Sequence, residues 1–232
     1  MYNVLALKYG EPQSEAYNRL NLDGMRLSAS KLRAIRASMT EEESFASYLF
    51  PLLRFHSRWK ELSAEDFEYL FHRDRVSHNG YLMQTEIRGG TSDITPVPLT
   101  DPSLPKTSME YLEKMRLLCE EKGVAFVLIK APTNDWKYHW YDEWDAQIAE
   151  YAQAHDLQYY NFIPLCEEIG IDWSTDTYDV GAHLNVYGAE KLTSYFGRIL
   201  VSEFELEDRS ADASLAAVWE EKLAVYRAEK AQ

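Results

Sequence analysis

An α/β fold built on a parallel sheet is predicted by three observations in the second half of the chain. A helical repeat runs into an uninterrupted apolar stretch, Val124 to Ile129, which reads as a strand buried on both faces. A second helical repeat and a second strand-like stretch, Gln158 to Ile163, follow in the order of a right-handed crossover. Polar loops then occupy 130–135 and 176–183, and in open parallel sheets such loops form the ligand-binding edge.

Taken in order, Met1 to Leu7 reads as the tail of a strand or the loop after it. Residues 9–25 form a polar connection with turn signals at Gly10-Glu11-Pro12 and Asp23-Gly24. Residues 1–27 are thus read as an opening section and its connection. Residues 28–106 read as a helical insertion ending in an irregular loop. Ser30 to Ser38 makes a short basic helix, and Glu42 to Leu53 a second, which Pro51 kinks or ends. Ser63 caps a third helix through Phe67, Leu70 and Phe71, with Asp66 at its third position. Between them lies Phe55-His56-Ser57-Arg58-Trp59. Its His-Ser pair lacks the strand-to-helix turn that presents a catalytic serine, so Arg58 and Trp59 are read as contact surface. From 73 to 106 turn signals recur at Asn79-Gly80, Gly89-Gly90 and four prolines; Gly90-Thr-Ser92-Asp93 is read there as loop.

Residues 107–205 carry the regular α/β pattern. Thr107-Ser-Met-Glu110 has the spacing of a capping box, and Gly123 ends that helix. The next helix places Trp144, Ile148, Tyr151, Ala152 and His155 on one side. Beyond the 176–183 loop, Leu192, Tyr195, Phe196, Ile199 and Leu200 repeat at helical spacing. Residues 206–232 read as a C-terminal helix packing inward through Leu215, Val218, Trp219, Leu223 and Tyr226, with contact to a partner as the alternative.

Composition narrows the function. The 232 residues, 46% hydrophobic and 13% aromatic, suffice for a substantial core. A formal charge of −14 argues against nucleic acid, whose binding rests on neutralising phosphates with Lys and Arg. It also disfavours an anionic membrane surface. Two cysteines, Cys119 and Cys166, make neither a disulfide framework nor a metal cluster, and Cys119 is read as a small buried hydrophobe. No signal peptide or apolar run of about 20 residues is found.

The chemistry concentrates in Asp176-Thr-Tyr-Asp179-Val-Gly-Ala-His183-Leu-Asn185-Val-Tyr-Gly188. A carboxylate beside an imidazole suits a base and its orienting acid: the imidazole takes a proton near neutral pH, and the carboxylate fixes its tautomer. Asp179 is the first choice of partner for His183 and Asp176 the second. The competing reading is that Asp179 and His183 only cap the following helix or bond within the loop. A metal reading, with Asp176, Asp179 and His183 as ligands, lacks a second cluster to complete it.

The wording D-x-x-x-H-L-N followed by G-A-x-K and a helix resembles the last conserved block of the SGNH/GDSL hydrolases, particularly their cell-surface, teichoic-acid D-alanine transfer-like branch. Pro132-Thr133-Asn134-Asp135, after the best strand, resembles that family's G-x-N-D block. The resemblance implies a three-layer flavodoxin-like fold and a metal-free, cofactor-free Ser-His-Asp mechanism on ester-linked acyl groups of a small molecule or an envelope polymer. In it His183 is the base, Asp179 its orienting acid and Asn134 an oxyanion donor, with Thr133 and Asn185 bordering the substrate. The nucleophilic Ser block is absent, and Met-Tyr-Asn-Val-Leu resembles the point where an early strand has just ended. The expectation is an N-terminally truncated domain, inactive by the family mechanism as written. Any membrane anchor is expected in the missing segment, of an extracytoplasmic parent. The alternative is a non-catalytic module of the same fold that binds a glycan or a partner protein.

Overall fold

The structure, a computed structural model, describes residue 22 and residues 25–50, 63–64, 78–90, 101–134 and 140–231. The expectations for residues 1–21, for Phe55 to Trp59, for the helix beyond Ala64 and for Thr91 to Asp93 lie outside the described residues. The chain divides into two compact units: Met1–Asp74 with Leu104–Leu118, and Arg75–Ser103 with Cys119–Gln232.

In the first unit, α1 spans Ala29–Ser38 and is capped by Ser28, whose hydroxyl accepts from Lys31 N at 3.2 Å. The second helix, α2, spans only Phe45–Leu49, shorter than the expected 42–53. Upstream, Glu43 is diverted into a turn. Its carboxylate accepts from Thr40 N at 2.7 Å and from the Tyr48 hydroxyl at 2.6 Å. Downstream, Phe50 precedes a proline, which disfavours helical backbone, and it adopts φ −121°, ψ 82°. Leu22, Ile35 and Tyr48 form the local core, bordered by Ala34, Met39, Phe45 and Leu49.

The next helix, α3 (Lys106–Lys122), begins one residue before Thr107, so Thr107 is not its cap. Pro105 supplies the start instead: its fixed φ suits the entry to a helix, and its carbonyl accepts from Met109 N at 3.1 Å. Gly123, at φ 63°, ends α3 as expected, while Val124 N donates back to Cys119 O.

The second unit is mixed α/β. Strand β1 (Val127–Lys130) pairs in parallel with β2 (Gln158–Asn161), Val127 opposite Gln158 and Lys130 opposite Asn161. They are joined through α4 (Tyr141–Ala154), whose Trp144, Ile148 and Ala152 are buried. Asp145 of α4 accepts from the Tyr159 hydroxyl and from Asn161 Nδ2. Alternation along β2 turns Tyr160 to the opposite face. There its ring meets Phe196 of α6 (Val186–Glu203) at 5.5 Å, and the fully buried Phe162 lies 5.2 Å from the same ring. Helices therefore contact both faces of this pair. β1 is not buried on both faces, however, because Ile129 is 45% exposed and β2 is its only partner strand among the described residues.

β2 stops at Asn161 rather than Ile163 because the Asn161 side chain accepts from Ile163 N, an Asx turn that bends the chain away. A short α5 (Cys166–Ile169) follows and ends at Gly170, φ 81°. The last helix, α7 (Ala213–Lys230), is capped by Asp212. Its expected inward face is not inward: Val218, Trp219 and Leu223 are 42–53% exposed, and only Leu215 and Tyr226 are half-buried. Polar contacts hold its end instead. Tyr226 and Lys230 both reach Glu190 of α6, and Glu229 meets His78 at 2.6 Å. No helix of the described residues is long and apolar enough to cross a membrane.

Candidate active site

The 176–185 loop is closed on itself before it is attached to anything else. Thr177 and Leu184 make an isolated antiparallel bridge. Between them the chain reverses through two consecutive left-handed residues, Val180 at φ 63° and Gly181 at φ 99°. Glycine takes such angles freely, whereas for a β-branched residue they are strained by about 1–3 kcal/mol. The reversal has a chemical product. It brings residue 183 back over residue 179, so that Asp179 Oδ1 accepts from His183 N at 2.7 Å while Oδ2 meets His183 Nδ1 at 2.6 Å.

One carboxylate thus fixes both the main chain and the ring of His183. An ionised carboxylate accepts only, so Nδ1 carries a proton, and in the neutral ring Nε2 then keeps its lone pair. Nε2 has no hydrogen-bond partner among the described residues, and the His183 side chain is 61% exposed against 27% for Asp179. Tyr178 lies nearly parallel to the imidazole, 6.0 Å away at 19°. Burial, and then the Asp179 charge, hold the Tyr178 phenol above its ordinary pKa. A base held at one nitrogen and open at the other can accept a proton from a hydroxyl brought to it.

Asp176, the second-choice partner, is elsewhere engaged. Its carboxylate accepts from Lys191 Nζ at 2.6 Å, Asp172 N at 2.8 Å and the Thr175 hydroxyl at 3.2 Å, with the residue 1% exposed. Its carboxylate is thus taken up by Lys191 and by the loop's own donors. No group of three potential ligands converges among the described residues.

The irregular stretch before Thr91 turns out to be part of this site. Residues 84–90 run against the loop in the opposite direction. Gln84 O accepts from Val186 N, Arg88 N and O bond Thr177 O and Val180 N, and Gly90 N donates to Trp173 O. The glycines are required by contact: a Cβ at Gly89 would lie 2.5 Å from Ser174 O, and one at Gly90 would lie 2.9 Å from Val180 Cγ1.

The loop after β1 closes the third side. Asn134 N and the Thr133 hydroxyl both donate to Gly181 O, at 2.8 and 3.2 Å. Asn134 therefore reaches the same rim as Asp179 and His183. Its Nδ2 makes a long bond to Gly90 O, 3.4 Å, and the amide nitrogen carries a second N–H to offer. Thr133 acts as a bracket on Gly181.

Asn185 is a correction. It is fully buried, its Oδ1 caps α6 by accepting from Tyr187 N and Gly188 N, and its Nδ2 donates to Glu86 O, Thr175 O and Thr177 O. Its polar atoms are spent on capping α6, on closing the loop and on tying it to Glu86 of the 84–90 segment, and none remains for a substrate. Sequence reasoning missed Thr177, whose buried hydroxyl lies inside the loop, and Lys191, whose partner is fifteen residues away. At the end of β1, Lys130 is pushed down to about 8 by burial, against the opposing pull of Asp145, and its ammonium lies 5.5 Å from the Tyr141 ring. No family model, curated protein or solved structure matches the chain.

Proposed function

We propose that this chain carries the Asp/His half of an SGNH/GDSL-type serine esterase or acyltransferase, with the three-layer flavodoxin-like fold of that family, acting on ester-linked acyl groups such as those of cell-envelope polymers. The observation that carries this reading is the 2.6 Å contact between Asp179 Oδ2 and His183 Nδ1, with Nε2 left open. In the scheme, Nε2 takes the proton of a serine hydroxyl as it attacks the ester carbonyl. The carboxylate of Asp179 then stabilises the imidazolium, and the Asn134 amide donates to the developing oxyanion. The proton passes from Nε2 to the leaving alkoxide, and a second nucleophile, water or an acceptor hydroxyl, releases the acyl group by the reverse sequence. No serine pairs with Nε2 among the described residues, so the chain alone is proposed to be inactive, and an extracytoplasmic setting is part of the same proposal.

The test is to express the chain together with the reading frame preceding the Met1 codon and assay it on short-chain p-nitrophenyl esters, beside His183→Gln. The expected result is hydrolysis that needs both the preceding segment and His183, with the variant reduced by about 10³-fold or more. An inactive extended protein, or activity that survives His183→Gln, overturns the reading. A frame that stops directly before Met1 leaves the glycan- or protein-binding module in its place.

A further inference from the structure

We infer that Thr177 is the positioning residue that sets the imidazole of His183 in its base form, a role resting on the functional reading above. The side chain is fully buried, so its hydroxyl must be paired within the loop. It accepts from Gly181 N at 2.9 Å and from Asp179 N at 3.4 Å, and it donates toward Asp179 Oδ1 at 3.4 Å. The main chain of Thr177 is pinned as well, since its carbonyl accepts from Arg88 N and from Asn185 Nδ2. One buried hydroxyl thereby joins the two features on which the site depends: the left-handed turn at Gly181 and the Asp179 carboxylate.

The geometry explains a division of labour within Asp179. Oδ1 is occupied on the loop side, by His183 N at 2.7 Å and more weakly by the Thr177 hydroxyl. Oδ2 is therefore the oxygen presented to the ring, and the ring answers with Nδ1–H. If the carboxylate turned about its last bond, His183 would lose the constraint that keeps Nε2 bare. Serine retains the hydroxyl and loses only a methyl group. Valine retains the shape and loses the hydroxyl, leaving the Gly181 and Asp179 amides without an acceptor.

The experiment is nitrogen-15 NMR of the imidazoles in the full chain, comparing wild type, Thr177→Val and Thr177→Ser, with amide spectra to establish that each is folded. Neutral His183 is expected as the Nδ1–H tautomer in wild type and in Thr177→Ser. In Thr177→Val a mixture rich in Nε2–H is expected. An Nδ1–H form that persists in folded Thr177→Val overturns the inference. Should the valine variant not fold, the wild type decides: a slowly exchanging Thr177 hydroxyl proton with a cross-peak to the Gly181 amide supports the role, and a freely exchanging one overturns it. The two proposals fail separately. Expected tautomers without ester hydrolysis in the extended protein sink the esterase reading alone, because the tautomer depends on no nucleophile.

Discussion

Asp176 and Asp179 stand three residues apart in one loop and have opposite fates. Asp176 is 1% exposed and spends its oxygens on Lys191, Asp172 N and Thr175. Asp179 keeps 27% of its side chain exposed and spends one oxygen on a ring that is itself 61% exposed. The first ties the loop to α6; the second holds a titratable group at the surface. Residue type is the same in both, and the difference comes from the loop that follows Asp176, where Thr177 is buried and Val180 and Gly181, just past Asp179, reverse the chain. A carboxylate next to a histidine in sequence is therefore not yet a catalytic pair. What makes it a candidate is the loop geometry that leaves an oxygen for the ring.

The sharpest way to break the contrast is to remove the cation from the buried member. Lys191→Met leaves the Asp176 carboxylate, 2% exposed as a side chain, without its counter-ion. Breaking a fully buried pair from one side costs about 3–5 kcal/mol; Lys191 is 40% exposed, so water can partly replace it and about 2–3 kcal/mol is expected. Urea unfolding monitored by circular dichroism reads this directly. A loss below about 1 kcal/mol would mean that the pair behaves as a surface contact.

Next in size is Gly181→Ala. The backbone angle, φ 99°, is unfavourable for any side chain, and the added Cβ would lie 2.8 Å from Asn134 Cβ and 2.9 Å from Gly90 O. Three segments meet at this point, so relief requires moving the 88–90 segment or the loop after β1. A loss of about 2 kcal/mol is expected in the same unfolding assay. An unchanged midpoint would show that these segments are not clamped.

Asp179→Asn should cost much less, under about 1 kcal/mol, because the pair it breaks is largely exposed and the amide oxygen can still accept from His183 N. Its effect should fall on chemistry instead, with ester hydrolysis by the extended protein reduced by about 10⁴-fold. A stability loss as large as that of Lys191→Met would erase the distinction between the two aspartates.

The sequence made much of this legible for physical reasons. Helical periodicity located α4 and α6, and the apolar run located β1, because burial acts on local pattern. The i,i+4 spacing of Asp179 and His183 made the pair a candidate, and the strand-end position of Asn134 brought it to the same rim. What escaped was set by contacts distant in sequence. The stretch at 84–90 read as irregular loop, yet its partners are 83 to 102 residues away, beyond any local signal. Asn185 read as a site residue because amides suit both ligands and caps; only its burial separates the two uses. The expected inward face of α7 failed for the converse reason. Apolar spacing says which side would be buried, whereas Glu190 and His78 determine that only the end of α7 is held.

The smallest effect concerns the lysines, where the same contrast of pairing and burial recurs. Lys191 is matched to a carboxylate, whereas for Lys130 burial outweighs Asp145 and brings the ammonium down to about 8 from 10.5. Between those values the unfolded chain binds more protons than the folded one, so unfolding free energy rises with pH. Below pH 8 both states carry the charge and the burial cost stays constant; above 10.5 neither does and the gain is complete. Cys166 runs the other way. Burial lifts its thiol from 9.0 to about 11, so stability held below pH 9 is lost as pH rises through 11. Comparing wild type with Lys130→Met cancels the thiol, which both share. Melting temperatures from pH 7 to 10 should show the wild type gaining on Lys130→Met above pH 8, by a few degrees at most. A constant difference across that range would mean that Lys130 sheds its proton no more readily when folded than when unfolded, and that its ammonium, like that of Lys191, is compensated where it sits.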